Sequence, residues 1–154
     1  MTTQNSKYAR HIFRKSKKHG ERIVNLRFMK DDLSVLVRTA MRIARTSGRE
    51  ICGFLVYNGY FIELVRMRNK TRRCGGFTFY RADVRMVCKA VRVLGHRIVG
   101  TFHSHPFYIA KPGSTDKRFA LDNDLMLIID ADEGKTGLWW ISRGRMSKKR
   151  IQTI

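Results

Sequence analysis

A chain of 154 residues with 43% hydrophobic side chains is long enough to close one domain around its own core. At that size roughly 68–70% of the unfolded surface is buried, so neither a metal nor a disulfide is needed to hold the fold. Thirty-two Lys and Arg against twelve Asp and Glu leave a net charge of +20, which attracts polyanions and acidic surfaces without naming one. No apolar run approaches the ~18 residues of a spanning helix, and the amino terminus lacks the apolar centre of a secretory signal, which excludes a membrane partner and leaves a cytoplasmic location as the expectation. Three cysteines, Cys52, Cys74 and Cys88, are an odd number with no CxxC pair; they argue against a disulfide framework or a four-sulfur zinc site and suit a reducing compartment.

Residues 1–21 read as a flexible basic arm, available to an acidic partner or a nucleic acid, and residues 22–154 as the domain. Within it, "RIVNLRF" (22–28) alternates as a short strand. The period then changes: Leu33, Leu36, Val37, Ala40, Ile43 and Ala44 recur at helical steps, with Asp31 and Asp32 at the start and Gly48 at the stop. "ICGFLVYNGYFIELVRM" reads as a hairpin around Asn58-Gly59, a pair that tolerates positive φ at both corners of a tight turn. After the basic loop "RMRNKTRR" and a short "FTFY", a second helical period runs from Asp83 through Val84, Val87, Ala90, Val91 and Leu94 to Gly95. "RIVGTFH" is a buried strand, "TDKRFALDN" a short helix, and "LMLIID" and "LWWIS" are strands joined by "ADEGKTG". The tail "RGRMSKKR" is read only as a cluster of charge. Strands interleaved with two or three helices predict a mixed α/β (α+β) domain with a single sheet and helices packed on it.

The stretch "GTFHSHPFYIAKPGSTD" (100–116) carries the chemistry. His103 and His105 stand two apart at the end of a strand, so both imidazoles project to one side, and Pro106 ends the ladder behind them. Pro112-Gly113 can fold the chain back so that Asp116 joins them; two imidazoles and a carboxylate are a common ligand set for a catalytic zinc with a fourth position left for water. Lowering that water's pKa from 15.7 to about 7 supplies a nucleophile at neutral pH. Glu50, between the first helix and the strand "ICGFLV", is the candidate general base. Asp130, Asp132 and Glu133 are read as hairpin-end charges, and of Trp139 and Trp140, alternating on a strand, one can enter the core while the other faces a partner or a helix.

Together, Glu50 followed by Cys52-Gly53, "RIVGTFHSHP", and the aspartate eleven residues past the second histidine resemble the JAMM signature of the MPN metalloprotease family, over roughly residues 22–142. The resemblance implies a curved central sheet flanked by helices, related to the cytidine deaminase architecture, although the HxE…PCxxC pattern of deaminase chemistry is missing. It further implies zinc on His103, His105 and Asp116, activation of water by Glu50, and hydrolysis of an isopeptide or peptide bond after the glycine tail of a ubiquitin-like protein. Members of that family usually carry a serine eight residues after the second histidine, where its hydroxyl helps stabilise the oxyanion; here the position is Gly113, and Ser114 is the expected substitute through a shifted turn. The spacing is compact, as in a stand-alone prokaryotic or viral-type enzyme. Two other classes stay open: a non-catalytic MPN scaffold, and a basic nucleic-acid-binding module.

Overall fold

The computed structural model describes residues 26–107, 109–120 and 124–154. The basic arm and residues 22–25 of the first expected strand lie outside them. In chain order the elements are β1 (Arg27–Phe28), α1 (Lys30–Ser47), β2 (Cys52–Tyr57), β3 (Ile62–Met67), α2 (Arg81–Val93), β4 (Arg97–His105), α3 (Ser114–Phe119), β5 (Asp124–Asp130), β6 (Thr136–Ser142), β7 (Arg145–Lys149) and β8 (Gln152–Thr153). All eight strands form one sheet in the order β7-β6-β5-β4-β2-β3-β1-β8, so the mixed architecture with one sheet holds.

α1 and α2 each bury the face their sequence period marks. Leu36, Ala40 and Ala44 of α1 pack against Leu55, Phe102, Leu125, Leu127 and Leu138 on one side of the sheet. α1 ends because Gly48 adopts φ 63° and donates its N–H to the Ala44 carbonyl at 2.8 Å, a left-handed cap that carries little penalty in glycine. Its N-cap, Met29, makes no side-chain cap, so Asp31 and Asp32 act on the helix dipole from inside the first turn. On the opposite face α2 covers Phe54, Val56, Met67 and Ile98 with Val84 and Val91.

The sheet is curled. β7 and β8 occupy opposite edges, yet only residues 150 and 151 separate them in the chain. Three steps of extended backbone span at most about 10–11 Å, so the two edges must approach each other around α1, and Ile151 packs on the same core as the α1 side chains. Two glycines permit the bend: a Cβ on Gly53 would lie 2.2 Å from the Val65 carbonyl oxygen, and one on Gly100 2.0 Å from that of Leu125. The register between β2 and β4 slips between Leu55 and Val56, a bulge that adds further bend.

Two expectations are corrected. The β2–β3 connection is not a two-residue turn with both corners at positive φ; Tyr57 pairs with Ile62, leaving residues 58–61 as the loop, and only Gly59 takes a positive φ, 103°. Asn58 organises this loop by accepting the N–H groups of Tyr60 (2.9 Å) and Phe61 (3.0 Å) on its side-chain oxygen. The charged tail "RGRMSKKR", in turn, contains a strand: β7 pairs with β6, and just beyond the tail β8 runs parallel to β1. Both are edge strands: the exposed Arg and Lys residues of β7 hide the apolar alternation by which strands are usually recognised, and β8, two polar residues, is too short to show one.

Candidate metal centre

The parallel pairing of β4 with β5 positions the site. Parallel neighbours need a crossover, and here the chain must return from His105 at the end of β4 to the start of β5, beside Gly100. Residues 106–123 make that return, and α3 rides on them. The crossover packs over Met126, Ile128 and Trp139, and Ile128 is the register partner of His103, so the crossover passes over the face from which the histidines project.

Asp116 is thereby brought onto His103 and His105. The two Nε2 atoms lie 3.0 Å apart; Asp116 Oδ1 is 3.1 Å from His103 Nε2 and Oδ2 is 3.2 Å from His105 Nε2. A tetrahedral ion with bonds of about 2.05 Å separates its ligands by about 3.3 Å, so the donor set fits zinc with little adjustment. His105 Nδ1 faces the Ile109 carbonyl at 3.0 Å, which fixes that ring so that Nε2 points inward. The His103 ring stacks near Phe77, centroids 5.1 Å apart, and its Nδ1 is buried without a hydrogen-bond partner. The Gly113 N–H donates to Asp116 Oδ2 at 2.8 Å, reaching back across the first turn of α3.

The electrostatics follow from this packing. Burial acts to raise the Asp116 pKa, but hydrogen bonds from both imidazoles and from the Gly113 N–H outweigh it and hold the carboxyl well below the usual carboxylate range. Burial pulls His105 down, but the Asp116 carboxylate and the Ile109 carbonyl leave its pKa above the ordinary value. Burial is also the largest influence on Glu50 and pushes its pKa up, against the lowering effects of the two imidazoles and the Gly76 N–H.

Glu50 arrives from the neighbouring strand. Cys52 pairs with His103, and the ladder continues one step beyond β2, where the Ser104 N–H donates to the Ile51 carbonyl (3.0 Å) and the Ile51 N–H to Ser104 Oγ (2.9 Å). Antiparallel register then sets Glu50 opposite His105 on the same face of the sheet. Its carboxylate accepts the Gly76 N–H at 2.8 Å, and Asn69 Nδ2 donates to both the Glu50 carbonyl (3.0 Å) and the Gly76 carbonyl (3.2 Å). Asn69 Oδ1 in turn accepts the N–H groups of Thr71 and Thr78, closing the loop that presents Gly76. Gly76 has φ 121°, which a side chain would rarely tolerate.

Of the residues marked from sequence, His103, His105 and Asp116 are in mutual contact and Glu50 is beside them. Ser114 is the first residue of α3, exposed, and its hydroxyl makes no hydrogen bond among the described residues. Its predecessor Gly113 is the N-cap, with φ −78° and ψ 177°. Ser104 and Asn69 were not singled out from sequence. Ser104 is visible there as the residue between the two histidines, whereas the role of Asn69 depends on a loop closure that leaves no periodic signal. Asp130 accepts the N–H groups of Asp132 and Glu133, both at 3.0 Å, and so caps its turn. Trp140 packs on the α1 core, and Trp139 lies under the crossover with Nε1 3.4 Å from the Ala110 carbonyl. Burial and the nearby Glu50 push the Cys52 thiol up to about 12, which removes it as a nucleophile. No helix among the described residues is long and apolar enough to cross a membrane.

A family model described as "Prokaryotic homologs of the JAB domain" matches residues 33–142. Among solved structures, the chain is similar to a protein from Desulfitobacterium hafniense (TM-score 0.69, 23% identity, 84% of this chain and 93% of that one). It is also similar to a JAB1/MPN domain protein from Archaeoglobus fulgidus (TM-score 0.56, 16% identity, 84% and 99%). A third structure, described as a metalloprotease-like zinc site in the proteasome and signalosome, superposes with TM-score 0.50 at 14% identity over 84% and 99%. At these identities the likeness bears on the fold, and the curved sheet flanked by helices agrees with it. No curated protein sequence matches the chain.

Proposed function

Since the chain belongs to the prokaryotic homologs of the JAB domain, we propose that it is a zinc-dependent peptidase or isopeptidase cutting after the glycine tail of a ubiquitin-like protein or a related substrate. The observation that carries the reading is the meeting of two imidazole nitrogens and a carboxylate at 3.0–3.2 Å, with a second, buried carboxylate on the adjoining strand. The metalloprotease-like zinc site of a structure with this fold supports it.

Zinc bound by His103, His105 and Asp116 would supply a Lewis acid and lower the pKa of a water toward about 7. Glu50, with its raised pKa, takes a proton from the attacking water and returns it to the leaving amine. The Gly76 N–H and the Asn69 clamp hold the Glu50 carboxylate and backbone during that transfer. Ser114 takes the role of oxyanion donor: its hydroxyl has no hydrogen bond among the described residues and stands at the start of α3, next to the glycine where the family's serine usually stands. In the same reading the protein works in the cytoplasm, consistent with its three free cysteines.

Purified protein is expected to carry about one zinc per chain and to cleave glycine-tailed fusions until a chelator is added. Glu50→Gln keeps the metal and loses turnover by about 10²–10⁴; a fully active Glu50→Gln enzyme ends the mechanism. One observation, Gly113 in place of the serine, favours a second reading as a non-catalytic MPN scaffold. Zinc-loaded protein that cleaves no fusion would select it.

A further inference from the structure

β1 pairs with β3 only at Ile62, so among the described residues the outer side of β3 beyond that point has no strand partner. The chain that continues from this free edge, together with the segment around Glu50, walls a cavity of ≈ 390 Å³. Arg49, Arg66, Arg68, Lys70 and Arg72 line it against a single acid, Glu50. Arg68 is already neutralised by Asp83, at 2.6 and 2.8 Å, and lies 4.7 Å over the Tyr80 ring. Arg49 donates to the Asn69 and Thr71 carbonyls at 2.7 and 2.9 Å, which fixes the guanidinium without cancelling its charge, and its Nε is buried with no acceptor. Arg66, Lys70 and Arg72 have no carboxylate partner among the described residues.

Uncompensated cations around a concave site focus the field within it, and an orphaned buried donor calls for an acceptor. We propose that this cleft binds an acidic side chain of the peptide substrate, about three residues from the scissile bond; the inference rests on the hydrolase reading above. The distance follows from the sheet order. The cleft's near wall, Glu50, stands one strand from β4, while its basic wall continues from β3, two strands from β4; at about 4.8 Å per strand that basic wall lies roughly 10 Å from the histidines, the span of about three extended residues. A polypeptide fits better than a nucleic acid. Single strands are gripped by a basic groove with aromatic faces for the bases, whereas Tyr80 is the one aromatic residue lining the cleft and Arg68 already covers its ring.

The test uses glycine-tailed fusions that differ only in carrying Asp, Asn or Lys three residues from the cut, on each side in turn. A hydrogen-bonded charge pair is expected to favour Asp over Asn by about tenfold or more in kcat/KM, with Lys the poorest. The Lys70→Ser, Arg72→Ser double variant should reduce the Asp fusion to the Asn rate and leave the Asn rate unchanged. Equal rates in the wild type, or a preference that survives in the double variant, overturn the proposal. Should no fusion be cleaved, so that the hydrolase reading itself fails, binding still decides. Fluorescein-labelled Asp and Asn peptides are titrated into chelator-treated wild-type protein and double variant at low and high salt. Tighter, salt-sensitive binding of the Asp peptide that the double variant loses supports the anion cleft; equal binding, or tighter capture of an oligonucleotide of equal charge, overturns it.

Discussion

Replacing Ser104 by alanine deletes one oxygen that joins the strand bearing His103 and His105 to the segment bearing Glu50. Ser104 is fully buried and its Oγ accepts the Ile51 N–H at 2.9 Å, while Ile51 itself is 3% exposed, so the orphaned donor cannot turn to water. Leaving a buried N–H unpaired costs about 1–3 kcal/mol, which for a chain of this size lowers Tm by about 2–12 °C. Chemical unfolding should show the same loss as a lower midpoint at unchanged slope. Because Ile51 directly follows Glu50, the loosened segment should also misplace the carboxylate, and a displacement near 1 Å lowers turnover by about 10². Zinc stoichiometry should stay at wild-type level, since His103 and His105 are untouched. A Ser104→Ala protein that melts within about 1 °C of wild type would show that this bond does not clamp the strands, and the argument for how Glu50 is held would fall with it.

Asn69→Asp retains the oxygen that accepts from Thr71 and Thr78 but removes both donors to the Glu50 and Gly76 carbonyls; kcat should fall about tenfold or more with metal content unchanged, and an unaltered kcat refutes the clamp. Ser114→Ala should lower kcat by about 10²–10³, and adding Gly113→Ser should restore it. A serine suits φ −78°, and its Cβ meets only Asp116 Oδ2, at 3.4 Å. A harmless Ser114→Ala removes Ser114 from the mechanism. In chelated protein the raised pKa of His105 means that its contact with Asp116 stabilises the fold fully below 6.5 and is lost as pH rises through the folded-state value. Asp116 has a depressed pKa, so its own contribution is lost only in strong acid. Tm of the chelated protein should therefore fall from pH 6 to 9, and the trend should vanish in Asp116→Asn; a rise over that range contradicts the geometry.

The parts legible in the sequence were those whose stabilisation is local. The period of Leu36, Ala40 and Ala44 marks the buried stripe of α1, Gly48 and Gly95 mark helix ends with φ 63° and 69°, and the alternation of His103 and His105 fixes the side from which both imidazoles project. Asp116 was legible through spacing, yet what delivers it is the parallel β4–β5 pairing, a long-range fact. The parts that escaped depend on distant partners. β8 is two residues long and exists only because the curl brings it to β1. Asn58 takes over a turn that the Asn-Gly pair alone would have made tighter, and Asn69 acts on a carboxylate through a glycine seven residues away.

The seam where the curled sheet meets itself is fastened by residues 152–154: the Ile154 N–H donates to the Phe28 carbonyl and the Lys30 N–H to the Ile154 carbonyl, both at 3.0 Å. A growing polypeptide therefore cannot finish wrapping α1 until residues 152–154 have emerged from the ribosome. Until then the hydrophobic stripe of that helix lacks part of its cover, and the slow step of folding should be this joining of segments more than a hundred residues apart in the chain.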